Sequence, residues 1–270
     1  MRDPKSVLIT GASSGIGETL ALSYAAPGAF LALTGRDAAR TEAVAAACRA
    51  KGATALAETV DAADAAAMGA FVARAHAERP LDLVIANAGI SAGSGGKGES
   101  IAQARRVFAV NVDGVVNTVG PAIELMMKKP RDGAAPRDRA PRGQIGIVSS
   151  LAGFRGFPGA PSYCASKAAV RVWGEALRGE LFRHGIEVSV ICPGYIRTRM
   201  TEGNTFPMPL LMDADRAIRI IRRGLERNKA RIAFPWRLAF MVSLVAALPP
   251  SWLDPLFRKL PKKKAAETAA

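Results

Sequence analysis

Thr10-Gly11-Ala12-Ser13-Ser14-Gly15-Ile16-Gly17 follows a short apolar run, residues 6–10, and opens an alanine-rich stretch with helical spacing. A strand that turns through glycines into a helix leaves backbone N–H groups and the positive end of the helix facing outward. Glycine lets a phosphate approach the backbone and lets the helix pack against the strand. Three glycines alone would suit any tight packing turn. With a strand before them and a helix after, they predict a diphosphate cradle and a dinucleotide ligand.

Working outward, further apolar runs at 29–34, 54–59, 81–86, 145–149, 187–192 and 231–234 alternate with segments of helical spacing. Strand and helix in alternation imply crossover connections, hence a parallel sheet covered on both faces. The expectation is α/β: one doubly wound Rossmann domain over residues 1–235, with a seven-stranded parallel sheet, and a C-terminal extension over 236–270.

Composition narrows the chemistry. The chain has 270 residues, 49% of them hydrophobic and 22% charged, which suits a globular protein. Its three cysteines, Cys48, Cys164 and Cys192, form no close pair, and it has only two histidines, His76 and His184. A disulfide framework, a cysteine-bound zinc and a histidine-rich metal centre are excluded, so no metal is expected. The apolar run near the start is too short for a signal peptide, and a cytoplasmic location is expected. The net charge is +14, and residues 215–270 carry 13 basic against 4 acidic side chains. Only 6% of residues are aromatic, and they do not interleave with the basic ones, so no nucleic-acid partner is expected.

The second strand should end at Leu33-Thr34-Gly35-Arg36-Asp37. An NAD site commonly has a carboxylate there, whereas an arginine accommodates the 2′-phosphate of NADP. Gly35 stands where the acid would be and Arg36 follows, so NADP is expected ahead of NAD. The alternative makes Arg36 a solvated residue at a helix start and Asp37 an N-cap. Further on, Tyr163 and Lys167 share a face of a segment that reads as helical from Pro161. A nearby ammonium favours a phenolate, which would make Tyr163 a usable acid or base. Ser150 closes the fifth strand, where the strand ends of an open sheet form a crevice.

These pieces together resemble the short-chain dehydrogenase/reductase family in its single-domain branch. The motifs occur in the family's order: residues 10–17, Asp61, Asn87-Ala88-Gly89, Asn111, Ser150, Tyr163 with Lys167, then Pro193-Gly194 and Thr198. The resemblance implies that Ser150 bonds the substrate oxygen and that Tyr163 exchanges its proton. Lys167 would lower the tyrosine pKa and bind the nicotinamide ribose, and Asn111 would hold a water leading from Lys167 to solvent. Gly11, Ser13, Ser14, Gly15, Ile16 and Gly17 would line the cofactor's phosphates and ribose. Asp61 and Ala62 would face the adenine, and Asn87, Ala88 and Gly89 the ribose. Pro193, Gly194, Ile196 and Thr198 would hold the nicotinamide end. The family also implies a homodimer or homotetramer. Two departures stand out: NADP-linked members often carry a basic residue where this chain has Ser14, and Ala86 replaces a common asparagine.

The implied activity is hydride transfer between NADP(H) and a carbonyl or secondary alcohol. A catalytically silent nucleotide-binding regulatory or scaffold protein is the alternative, which leaves the Asn111, Ser150, Tyr163 and Lys167 set without a purpose. The run after Pro193-Gly194 holds Tyr195, Met200, Phe206, Met208, Leu210, Leu211 and Met212, resembles the family's substrate lid and suggests a hydrophobic substrate. Gly93 to Gly98 lacks the Walker pattern and reads as a loop near the substrate entrance. Residues 128–142, with three prolines, read as an exposed loop before the fifth strand. His76 and His184 are expected at the surface, and Cys164 as a packing residue. Residues 238–248 are uncharged and too few to span a bilayer. An apolar helix there must be buried at the substrate mouth, against a sister subunit, or in a membrane headgroup layer as a weak peripheral contact.

Overall fold

The computed structural model describes residues 3–91, 98–130, 141–202, 204 and 206–257. The strands are β1 (Ser6–Thr10), β2 (Phe30–Gly35), β3 (Thr54–Thr59), β4 (Leu83–Ala86), β5 (Gly143–Val148), β6 (Ile186–Pro193) and β7 (Arg231–Phe234). They form one sheet in the order β3-β2-β1-β4-β5-β6-β7, and every pairing is parallel. The expected doubly wound Rossmann sheet is therefore present. Its order reverses between β1 and β4, where Ile9 lies between Leu33 and Ile85. The connections leave in opposite directions there, so the strand ends part and open a crevice.

Period-two alternation divides the core. Val7, Ile9, Leu31, Leu33 and Ile85 face α1 (Gly15–Tyr24), α2 (Ala38–Ala50) and, later in the chain, the helix 214–226. Leu8, Phe30, Ala32, Val84, Ile145 and Ile147 face α3 (Ala65–Glu78) together with the helices 114–128 and 161–181. These strand residues are almost all fully buried, which explains why the runs read as continuously apolar.

The remaining helices are α4 (Ile101–Phe108), α5 (Gly114–Lys128), α6 (Pro161–Leu181), α7 (Arg199–Glu202), α8 (Ala214–Glu226), α9 (Trp236–Ala247) and α10 (Pro250–Phe257). A π-helical turn, Ala109–Asp113, joins α4 to α5. β5 begins two residues before its apolar run because Gln144 is fully buried inside it, donating Nε2–H to the Leu225 carbonyl at 2.9 Å. His76 is not at the surface as expected. It is half-buried, accepts from the Leu81 N–H, and its pKa is lowered by burial and by Lys129.

The extension is two helices broken at Pro249-Pro250, and α9 is tied to the domain. Leu238 is buried with Leu151, Val190 and Cys192. Most of the 93–98 and 128–142 loops and residues 258–270 lie outside the described residues.

Candidate active site

The carboxyl ends of the strands open into a cleft of about 1470 Å³. Its floor on the β1 side is backbone. Gly11 and Gly15 have φ of +65° and +59°, a left-handed conformation that favours glycine. A Cβ on Gly11 would lie 2.8 Å from Ala88 Cα. Gly17 does not line the cleft; it is buried, and a Cβ there would collide with the Gly11 carbonyl and lie 2.7 Å from Asn87 Nδ2. Its part is to let α1 close onto the turn. Ser14, at the N-cap of α1, makes no side-chain capping bond, so the first turn of α1 presents its N–H groups toward the cleft.

Asn87 clamps this turn to β4. Its Nδ2 donates to the Thr10 and Gly11 carbonyls at 2.9 and 3.1 Å, while Thr10 Oγ1 accepts from the Asn87 and Ala88 N–H groups. Ala88 and Gly89 continue the same wall.

At the end of β2, a Cβ on Gly35 would lie 2.7 Å from Thr41 Oγ1 and 2.9 Å from Ser13 Oγ. A larger side chain there would have to displace the Thr41 and Ser13 hydroxyls. Exposed Arg36 borders the cleft, and Asp37 is an N-cap, accepting from the Arg40 N–H at 2.9 Å. The two readings of this stretch are thus compatible. Arg40, which motif spacing does not single out, also lines this wall. Arg40 Nε and Thr34 Oγ1 are buried polar atoms with no protein hydrogen-bond partner. Asp61 and Ala62 complete the wall. Burial pushes the Asp61 carboxyl up, but bonds from Arg106 and the Ala63 N–H, with the Arg106 and Arg36 charges, outweigh it and hold it below the usual range. Arg106 pairs with Asp61 at 2.7 Å, a partner 45 residues away that no local pattern announces.

Across the cleft, Ser150, Tyr163 and Lys167 converge. Ser150 caps a 3₁₀ turn, its Oγ accepting from the Ala152 N–H at 3.1 Å. Burial raises the Tyr163 phenol pKa, opposed by a hydrogen bond with Ser150. The downward pull on the phenol therefore comes from Ser150, where the Lys167 charge was expected. Lys167 itself is buried and pushed down to about 8. Its Nζ donates to the Val148 carbonyl at 2.9 Å, and Ser149 Oγ donates to the Lys167 carbonyl at 2.7 Å. Both bonds fix this turn of α6 to the end of β5. The first turn of α6 is held by Glu99, whose carboxylate accepts from the Ser162 N–H and hydroxyl. Sequence reasoning missed Glu99 because it belongs to a distant loop.

Asn111 lies behind the cleft rather than in its wall, in the π-helical turn. Its Oδ1 accepts from the Ile90 N–H at 2.8 Å, and its Nδ2 donates to the Ile90 carbonyl and Ser166 Oγ at 3.0 Å. With those partners the side chain ties α6 to the loop after β4.

Pro193, Gly194, Ile196 and Thr198 border the cleft at the end of β6. Gly194 makes room for α9, since a Cβ there would lie 2.9 Å from Leu238 Cδ2. The segment after β6 returns to its own start: Met212 N–H donates to Tyr195 O and Arg197 N–H to Met212 O. Tyr195 and Phe206 stack edge to face at 6.0 Å. Thr198 touches the glycine turn, 3.2 Å from a Cβ built on Gly15. Leu238 and Val242 of α9 form the outer apolar wall. The expectation that the extension packs at the mouth of the cleft thus holds for one face of α9.

Comparison with known proteins agrees with this architecture. The sequence profile of the short chain dehydrogenase family matches residues 5–206. An uncharacterized oxidoreductase of Myxococcus xanthus is 34% identical over 257 residues, 95% of this chain and 97% of that protein. A probable oxidoreductase of Mycobacterium tuberculosis, EphD, is 35% identical over 204 residues; these are 75% of this chain but 33% of that longer protein. Among solved structures, a short-chain dehydrogenase of Sphingobium yanoikuyae in complex with NADPH superposes with a TM-score of 0.75. It is 25% identical, with 97% of this chain and 98% of that one covered. The chain belongs to the short-chain dehydrogenase/reductase family, and is an oxidoreductase of that family.

Proposed function

We propose that the protein moves a hydride between NADP(H) and a hydrophobic carbonyl or secondary alcohol, with Tyr163 as general acid and base. The observation that carries this reading is the convergence of Ser150, Tyr163 and Lys167 opposite a glycine turn on one cleft. The residues present fit a dinucleotide. Gly11 and Gly15 hold the turn in left-handed conformations that other residues rarely adopt, and α1 offers its N-terminus to a diphosphate. Gly35 leaves the end of β2 without the carboxylate that would read a 2′-hydroxyl. Arg36, Arg40 Nε and Thr34 Oγ1 supply donors for a 2′-phosphate instead. The Sphingobium yanoikuyae short-chain dehydrogenase in complex with NADPH supports the same choice.

Bound NADP(H) would supply the hydride chemistry. The chain's own residues handle the oxygen. Ser150 hydrogen-bonds the substrate oxygen, and Tyr163 gives that oxygen a proton in reduction and takes it in oxidation. Burial keeps the phenol protonated at neutral pH, the form that donates, so reduction needs no prior ionisation. Lys167, seated beneath Gly89, would hold the ribose. Tyr195, Phe206, Leu238 and Val242 exclude water and favour an apolar substrate. Self-association as a homodimer or homotetramer would cover the exposed Ile101, Phe108 and Val116 of α4 and α5.

The test is a panel of apolar ketones and aldehydes, aliphatic, aromatic and polycyclic, offered with NADPH or NADH while cofactor absorbance is followed. Consumption of NADPH with at least one class, slower with NADH, is expected. Binding of neither cofactor would overturn the reading.

A further inference from the structure

α9 is apolar on two opposite faces. Leu238 and Val242 point into the cleft, and Leu238 is 7% exposed. On the other side Phe240 is 59% exposed, Met241 50% and Leu244 54%, spaced as one helical face. Trp236 at the start of α9 and Trp252 in α10 are each 71% exposed, and Leu248 at the end of α9 is 38% exposed. α10 is held in place by buried Leu253 and by Phe257, whose ring lies 5.6 Å from Phe157. Arg155 donates to the Leu248 carbonyl at 2.9 Å, closing the end of α9. The exposed side chains thus sit on an anchored platform.

Charge selects what covers them. Arg237 projects from the platform beside Trp236, 5.5 Å from its ring. In sequence α10 runs directly into Arg258, Lys259, Lys262, Lys263 and Lys264, and residues 236–270 contain only Asp254 and Glu267 as acids. A second copy would bring this excess of positive charge against itself. An anionic bilayer offers the opposite sign, and tryptophans at the rim of an apolar patch suit the headgroup boundary.

We infer that α9 and α10 dock the protein on an anionic lipid surface, with Trp236, Phe240, Met241, Leu244 and Trp252 entering the headgroup layer. No helix among the described residues is long and apolar enough to cross a membrane, so the attachment is peripheral. The inner face of the same helix walls the cleft. A substrate dissolved in the bilayer would therefore reach Tyr163 past α9, a consequence that rests on the function proposed above, whereas the docking itself does not.

The test is cosedimentation of the full chain with vesicles of phosphatidylcholine alone or mixed with phosphatidylglycerol, at about 50 and about 500 mM salt. Pelleting with the mixed vesicles at low salt, reduced at high salt and weak with phosphatidylcholine alone, is expected. The Phe240→Ser/Leu244→Ser variant, altered only on the exposed face, should partition about tenfold less or weaker still. Unchanged NADPH affinity and circular dichroism would show that it is folded. Wild-type protein that stays in the supernatant overturns the inference, as does a folded variant that pellets like wild type. So does a sedimentation-velocity dimer that dissolves in the variant without vesicle binding, because the face would then join two copies. If vesicles bind but no apolar carbonyl is reduced, the docking stands and the proposed function fails.

Discussion

The two sides of the cleft are built from different materials. The β1–β2 side has a floor of backbone and glycine, with Arg36, Arg40 and Asp61 only at its rim: Gly11 and Gly15 are in left-handed conformations, Gly17 closes α1 onto the turn, and Gly35 clears the end of β2. The far side is apolar side chains: Tyr195 and Phe206 from the segment after β6, with Leu238 and Val242 from α9. A wall made of backbone recognises what every member of a cofactor class shares, and any added atom damages it. A wall made of side chains can be recut for a new substrate while the sheet beneath stays the same.

Damage to the backbone wall should have the largest effect on cofactor binding. Gly17→Ala puts a methyl group against the Gly11 carbonyl, where the contact is backbone and cannot swing away. Overpacking of this kind costs about 1–3 kcal/mol. If the turn shifts to relieve that contact, the cradle is lost with it, and we expect NADPH affinity, measured by fluorescence titration, to fall by about 5–150-fold.

Arg36→Asp sharpens the distinction without disturbing the glycines. A charge-assisted hydrogen bond contributes about 1.5–3 kcal/mol. The ratio of kcat/KM for NADPH to that for NADH should therefore fall by about 10–100-fold. An unchanged ratio would show that Arg36 does not read the 2′-phosphate.

At the junction of the two walls, Lys167 predicts a pH dependence. Its folded pKa is about 8, below the ordinary 10.5, so the folded chain binds its proton less readily than the unfolded chain. The penalty is fully present below about 8 and is relieved as pH rises from 8 toward 10.5. Lys129 is depressed in the same direction, so the measurement must be differential. Between pH 7 and 10 the unfolding free energy of wild type should gain about 2 kcal/mol on that of Lys167→Met in denaturant titrations. A constant difference would mean that Lys167 titrates normally.

Leu238→Ala opens the side-chain wall and should act on substrates unequally. Removing most of a buried leucine forfeits about 1.5–3 kcal/mol of apolar contact for a ligand that reaches it. KM for a bulky apolar ketone should rise by about tenfold, while NADPH affinity and KM for a small ketone barely move.

The same contrast explains what was legible in the sequence. The inner strands were visible because both faces of the sheet are buried there and their residues are mostly apolar, whereas the edge strands β3 and β7 are partly exposed and were legible from their place in the strand–helix alternation. The glycine turn, Ser150, Tyr163 and Lys167 were visible because the chemistry demands particular residue types at set spacings. Glu99 and Arg106 were not, since their partners are set by tertiary approach, and Arg40 was not because its place on the cleft wall, beyond its local pair with Asp37, required the fold. Asn111 was legible as a residue but not in its bonds to Ile90 and Ser166. α9 was visible as apolar; that one face would wall the cleft and the other lie open required the fold.

Tyr163→Phe tests the central claim most directly, because it keeps the ring and removes only the hydroxyl bonded to Ser150. NADPH affinity should stay within about twofold, while turnover of a reactive carbonyl falls by about 10²–10⁴-fold, the usual worth of general acid catalysis. Turnover near the wild-type rate, with binding intact, would contradict the assignment of Tyr163 as the proton carrier.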